Sequence, residues 1–427
     1  MTRQSLAVPQ AFRDALELHH QGRVDEAAKC YEMILKIDPK HFESLHFLGL
    51  ARAAQGRLDE SLALLRKALN QNPNSAAANL SLGDTLAALK RHDDAVARYR
   101  KALALAPGLA EAHNNLGTEM EALGHSDEAI EHYRQAVAAS PNFAEAWVNL
   151  GNAELAAGRA DAASAHFERA LGLKPGMAQA HNNLGNALAA LSRHAEAIAR
   201  YEAAVALKPD YAGAHNNLGN VLLALNRPAE AIGRFETAIA CAPTYAEAHN
   251  NLGNALLALN RVQDAIACYE RATAIKPDYV EAVWNGALAR LTVGDFSEGW
   301  HRYESRWTHR KLGMSRRPEP PPAWLGQSDV KGKTILLYAE QGLGDTIQFV
   351  RYAPLLAQGG AAVTIEAQPP LVRLLTGMAG VTKTIARGEA PPPCDFQCSL
   401  MSLPLALGTT VETIPRAVPY LTPLADG

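Results

Sequence analysis

The sequence predicts a mostly α chain: a right-handed superhelical solenoid of paired helices, followed by a partial α/β lobe of Rossmann-like build. Three observations carry this reading. Prolines, glycines and aromatics recur at a fixed step of 34 residues through most of the chain. The rhythm breaks after 308 in a proline-rich stretch. A short β-branched apolar run, 334–339, then leads into a glycine-containing loop and a helical pattern.

Prolines stand at 39, 73, 107, 141, 175, 209, 243 and 277. Glycines at 49, 83, 117, 151, 185, 219 and 253 keep the same step. So do aromatics at 31, 99, 133, 167, 201, 235, 269 and 303, with Leu65 in the one vacancy. Each unit holds two helical patterns, separated in 178–211 by "SRH". A glycine in mid-helix costs ~1 kcal/mol against alanine, so seven of them point to a packing demand at each site. Gly185 is read as the close-approach position, with Ala197 and Ala204 as its small counterparts on the second helix. Tyr201 fills the space they leave. Proline has no amide hydrogen and ends the second helix.

Phased on the prolines, nine units run 8–41, 42–75, 76–109, 110–143, 144–177, 178–211, 212–245, 246–279 and 280–313. The end units depart from the pattern, as terminal repeats of a solenoid do. Ala15 and Ala287 replace the glycine, and Arg306 stands at an alanine position. Trp300, Tyr303 and Trp307 of the last unit, at i, i+3 and i+7, are read as a cap that docks on the following region.

The heptad "AHNNLGN" occurs at 180–186, 214–220 and 248–254. Numbered within each unit, position 6 is Asn115, Asn149, Asn183, Asn217, Asn251 and Asn285, and position 9 is Asn152, Asn186, Asn220 and Asn254. The two positions share a helix face. Asparagine is a poor helix former, yet its amide offers both a donor and an acceptor. Helices pack ~8–10 Å apart and an extended chain rises ~3.3–3.6 Å per residue, so one amide per unit meets about every third residue of a bound strand. The column is read as a sequence-tolerant clamp for an extended protein segment. Hydrogen bonds between adjacent helices that stiffen the stack are the alternative, and the two are compatible. Asparagines at position 5 (114, 182, 216, 250) are replaced by Val148 and Trp284 and are read as permissive. His113, His181, His215 and His249 at position 4 are read as packed surface histidines rather than a metal column, because Trp147 and Asn79 share the position.

The 34-residue period and residue order are those of tetratricopeptide (TPR) repeats. The copy "AEAHNNLGNALLALNRVQDAIACYERATAIKPDY" resembles most the TPR superhelix of O-linked N-acetylglucosamine transferases and its bacterial relatives. That resemblance implies that the position-6 asparagines bind protein substrates along their backbone.

Beyond 308 the chain changes character. A basic stretch precedes four prolines within 318–322, and 314–330 is read as a linker. In 331–427, Thr334–Ala339 and Ala362–Glu366 read as strands, joined by a helix from Asp345 or Thr346 to about Ala357. The loop "EQGLGDT" lies where α/β sheets bind ligands. It is neither a full dinucleotide fingerprint nor a phosphate loop. Asp345 is read either as a helix cap or as a general base facing a cleft.

This region resembles the first half of a GT-B glycosyltransferase of the heptosyltransferase-like family, glycosyltransferase family 9. The resemblance implies that Asp345 deprotonates an acceptor hydroxyl, that Gly342 and Gly344 shape the loop, and that Gln341 and Thr346 adjoin the acceptor. It also implies a donor-binding lobe, for which too little chain follows, so a nucleotide sugar is expected to bind only if that lobe is supplied.

A net charge of −3 gives no cause to expect nucleic acid as a partner. Five scattered cysteines suit a reducing compartment, and a cytoplasmic location is expected. No membrane span, cofactor or metal site is expected; Cys394 and Cys398 lack a second pair for zinc. The expected function is an array that presents a protein or glycan acceptor to a glycosyltransferase lobe. The alternative is a non-catalytic TPR adaptor.

Overall fold

In a computed structural model, residues 8–309 and 312–421 are described. The chain divides into two compact units, Met1–Pro209 and Asp210–Gly427.

The first unit consists of six helix pairs. They are α1 (Val8–His20) with α2 (Val24–Ile37), α3 (Phe42–Ala54) with α4 (Leu58–Gln71), and α5 (Ala76–Ala88) with α6 (His92–Leu105). Then come α7 (Ala110–Ala122) with α8 (Ser126–Ala139), α9 (Ala144–Ala156) with α10 (Ala160–Leu173), and α11 (Ala178–Ala190) with α12 (His194–Leu207). The second unit opens with three more pairs: α13 (Ala212–Ala224) with α14 (Pro228–Cys241), α15 (Ala246–Ala258) with α16 (Val262–Ile275), and α17 (Val280–Thr292) with α18 (Phe296–Tyr303). Among the described residues there are nine such pairs, and successive pairs start 34 residues apart, from Val8 to Val280.

The residue pattern explains each pair. A Cβ added to Gly185 would lie 2.6 Å from the Tyr201 ring, and one on Gly151 2.6 Å from Phe167. The repeated glycine therefore admits the ring of its own second helix. Ala197 and Ala204 are fully buried, as read. The first helix of each pair stops at a left-handed residue, such as Gly158 (φ 77°) or Ser192 (φ 59°). Around Ser192 the Arg193 amide returns to the Leu188 carbonyl at 2.8 Å, closing the helix end. The second helix stops two residues before its proline, as α8 does at Ala139 before Pro141.

After α18 the chain makes a 3-10 turn, Glu304–Trp307, and reaches a four-stranded parallel sheet of order β3-β2-β1-β4. The strands are β1 (Thr334–Tyr338), β2 (Ala362–Ala367), β3 (Val381–Ala386) and β4 (Phe396–Ser399). The helices are α19 (Leu343–Phe349), α20 (Ala353–Gln358), α21 (Pro369–Leu375) and α22 (Leu403–Ala406). The helix expected from about 345 to 357 is thus split by a 3-10 turn at Val350–Tyr352. Pro354 is part of the reason: it can supply no amide to an i−4 carbonyl, and its ring crowds the preceding turn.

The stretch 314–330 lies partly along β4. Trp324 is buried, and its amide donates to the Gln397 carbonyl at 2.8 Å. Gln397 Nε2 donates in turn to the carbonyls of Pro318 and Pro321. Gly326 has φ 90° and a Cβ there would sit 2.3 Å from the Ala406 carbonyl oxygen, so only glycine fits. One core joins the sheet to the end of the helical array within the second unit. Trp300 meets Phe349 edge-on at 5.7 Å, and Tyr303 is buried with its hydroxyl 3.9 Å from the Met401 sulfur. The expected docking of the terminal cap holds for Trp300 and Tyr303, whereas Trp307 lies beyond α18 in the 3-10 turn and so does not share their helix face.

Candidate functional site

The asparagine column is a set of half-buried amides, and within each unit they reach the preceding repeat. In the first unit, Asn115 donates to Asp84 at 2.9 Å, Asn149 to Asn114 at 2.9 Å, and Asn183 to Asn152 at 2.8 Å. In the second, Asn251 donates to Asn216 at 3.0 Å, and Asn285 to both Asn250 (3.0 Å) and Asn254 (3.2 Å). The acceptors are thus positions 5 and 9 of the previous repeat. Position 9 also receives the tyrosine hydroxyl of its own repeat: Tyr99 on Asp84, Tyr201 on Asn186 and Tyr269 on Asn254, each at 2.8 Å. Asn220 is exposed, and its repeat carries Phe235 where others carry a tyrosine. Asn217 is half-buried like its counterparts.

Position 5 is not the permissive site expected. Asn114, Asn182, Asn216 and Asn250 are all buried, and three of them donate to their position-6 neighbour: Asn114 to Asn115, Asn182 to Asn183 and Asn250 to Asn251. Substitution by Val148 or Trp284 had suggested indifference. In the repeat that carries Val148, Asn149 still donates to Asn114 and is only half-buried, so water can take the place of the missing position-5 donor.

Position 4 has a structural task. His113, His181 and His249 place Nε2 on the carbonyl of the proline six residues earlier, at 2.9–3.1 Å. Trp147 donates its indole N–H to Pro141 at 2.9 Å, and Asn79 reaches Pro73 at 3.4 Å. The residue types differ, but all can donate to the carbonyl that proline leaves at the end of the previous repeat. No cluster of three or more metal-ligating side chains occurs among the described residues.

In the α/β region, Asp345 is half-buried in the first turn of α19. Its Oδ2 accepts from the Gly342 amide at 3.0 Å, a capping-box contact. The Thr346 hydroxyl is buried, 3.0 Å from Gln368 Oε1 and 3.2 Å from the Gly342 carbonyl. The Gln341 carbonyl accepts from Gln368 Nε2 at 2.7 Å, and its side chain points to the Tyr303 hydroxyl at 3.5 Å. Gln341 and Thr346 are therefore held by the loop's own network. Gly342 has φ −70°, and a Cβ on Gly344 would meet open space. Neither backbone strain nor packing calls for glycine at these two positions.

Four residues escaped the sequence reading as a set. Arg306 is fully buried, and its guanidinium joins Glu304 at 2.5 Å, Glu340 at 3.1 Å and Ser402 Oγ at 2.7 Å. Burial pushes the Glu340 carboxyl up, more than Arg306 lowers it. Burial acts the same way on Glu304, but Arg306, Ser402 and the Trp307 indole together hold it below its ordinary range. The available signal was Arg306 itself, a charge where the repeat demands alanine.

Tetratricopeptide-repeat profiles match residues 42–108, 74–142, 114–178, 185–226 and 216–280. The chain is a tetratricopeptide-repeat protein. The chain is 39% identical over 64 residues to the protein FlbA of Caulobacter vibrioides, a match covering 15% of this chain and 11% of FlbA. Among solved structures, a chain of the APC/C hetero-tetramer Cut9-Hcn1 is similar at 18% identity with a TM-score of 0.49, over 62% of this chain and 52% of that one. YrrB, described as a TPR protein with an unusual peptide-binding site, is 23% identical with a TM-score of 0.39, over 43% of this chain and 95% of its own. PilF of Pseudomonas aeruginosa is 22% identical with a TM-score of 0.45, over 48% of this chain and 94% of its own. No helix among the described residues is long and apolar enough to cross a membrane.

Proposed function

We propose that this TPR protein is a protein-interaction scaffold whose asparagine column holds an extended segment of a partner by its backbone. The observation that carries the reading is how the ladder leaves its amides. Asn183 and Asn251 each spend one Nδ2 hydrogen on the previous repeat and receive one hydrogen bond at Oδ1. An amide has two hydrogens and two lone pairs, so one of each is left, already oriented. The network that stiffens the stack thereby prepares the clamp. A cytoplasmic location is part of the same proposal, supported by five cysteines that form no disulfide.

The test pairs binding with stability. Fluorescently labelled, unrelated unstructured peptides are titrated into the wild type and into Asn183→Ala/Asn217→Ala/Asn251→Ala. Loss of binding across the peptide panel, with a folded array, supports the clamp. Unchanged binding with a lowered unfolding midpoint would leave only the stiffening role.

A second reading, glycosyl transfer with Asp345 as general base, has one supporting observation. Gly342, the N-cap of α19, and Gly344, in its first turn, have no local need for glycine, which suits close approach of a ligand to that backbone. The capping contact of Asp345 serves a structural role equally well. In a sugar-nucleotide turnover assay, transfer that survives Asp345→Asn would exclude the base role.

A further inference from the structure

We propose that a cavity over the carboxyl ends of β1 and β2 binds a small ligand bearing a phosphate or carboxylate group, through Arg316, Arg317 and Arg387. The cavity has a volume of about 480 Å³ and lies beside the Asp345 loop rather than in it. Its wall combines Tyr338 to Glu340 at the end of β1, Glu366 on β2, Arg387 after β3, and 312–318 with Trp307 from the end of the helical array. This is the side of a parallel sheet on which α/β folds take their ligands, and the volume is that of a small-molecule site.

The charge balance selects an oxyanion. Four guanidinium groups (Arg306, Arg316, Arg317, Arg387) meet three carboxylates (Glu304, Glu340, Glu366) here. Arg306 is fully buried and spent on Glu304 and Glu340. Arg317 Nη1 pairs with Glu366, Arg316 Nη2 lies 3.2 Å from Glu304, and Arg387 Nη2 holds the Ala339 carbonyl. Each of these three is thus anchored through one terminal nitrogen, and a guanidinium has five N–H donors. Anchoring fixes the forks at the cavity wall, where their other donors match a phosphate or carboxylate. Trp307 carries Arg306 over its ring at 4.2 Å and Arg316 at 5.8 Å, which further restrains the arginines.

The test is calorimetric titration of the full chain with pyrophosphate and with citrate, against chloride at equal ionic strength. Saturable binding of either ligand, absent with chloride, is expected. Preference for pyrophosphate assigns a phosphate ligand, and preference for citrate a carboxylate one. Arg387→Gln and Arg316→Gln should each weaken binding about tenfold or more, and Arg387→Lys by less than Arg387→Gln. Arg169→Gln, on α10, should leave it unchanged. Arg316 is half-exposed, so its variant carries the test should Arg387→Gln unfold. A response no greater than that to chloride, or one indifferent to both glutamine variants, would overturn the proposal.

Discussion

The guanidinium of Arg306 lies 3.1 Å from the carboxylate of Glu340, and both side chains are shut off from water. One comes from the last helical repeat and the other from the end of the first strand. Burying an ion pair costs several kcal/mol of desolvation per ion, and the cost is offset only when hydrogen bonds complete the site. Here Ser402 and Glu304 complete it.

Removing one partner should therefore be worse than never having had the pair. Arg306→Ala leaves two buried carboxylates without their cation and is expected to cost about 3–5 kcal/mol. Four of the five tryptophans (284, 300, 307 and 324) lie in this unit, so urea unfolding followed by tryptophan fluorescence reads the loss. A loss below ~1 kcal/mol would mean that water already reaches the carboxylates.

The glycine column can be tested by contrast. Gly185→Ala gains helix propensity but drives a methyl to 2.6 Å from the Tyr201 ring, and a net destabilisation of about 1–3 kcal/mol is expected. Gly233→Ala, in the middle of α14 with nothing within 4 Å of the added carbon, should stabilise by about 0.5–1 kcal/mol. Thermal unfolding of the two variants should move in opposite directions.

A second contrast concerns tyrosine hydroxyls. Tyr269 donates to Asn254, while Tyr31 is buried with its hydroxyl unbonded, since Leu16 occupies the acceptor position of the first repeat. Tyr269→Phe is expected to cost about 1 kcal/mol and Tyr31→Phe to be neutral or stabilising. Equal losses by chemical denaturation would contradict the acceptor assignment.

Acid should loosen the first unit. His19, His46, His132 and His166 are all held below the ordinary histidine value, chiefly by burial. For His132 the charges of His113 and Arg100 act in the same direction, against Glu128 and Glu131. The unfolded chain then binds protons more readily than the folded one. The stability these groups confer is complete above the unfolded value of ~6.5 and is lost as pH falls from there through the lowered folded-state values. Unfolding midpoints measured from pH 7.5 to 5.5 should drop, and His132→Gln should flatten the slope. A midpoint that rises over this range would contradict the burial of these rings.

The helical array was legible because its rules are local. Gly185 and Tyr201, or Ala139 and Pro141, lie within one repeat, and period and residue size are enough to predict their packing. The β1 and β2 strands were equally legible from their β-branched runs. The partners of the asparagines lie 31 or 35 residues away, so periodicity could have named them. Position 5 was misjudged because its replacements hide a buried polar role. Arg306 with Glu340, Trp324 on β4, and the arginine-lined cavity were decided only in three dimensions. Their members are separated by turns and crossovers whose geometry follows from close packing of the whole second unit, and no repeating pattern in the chain encodes it.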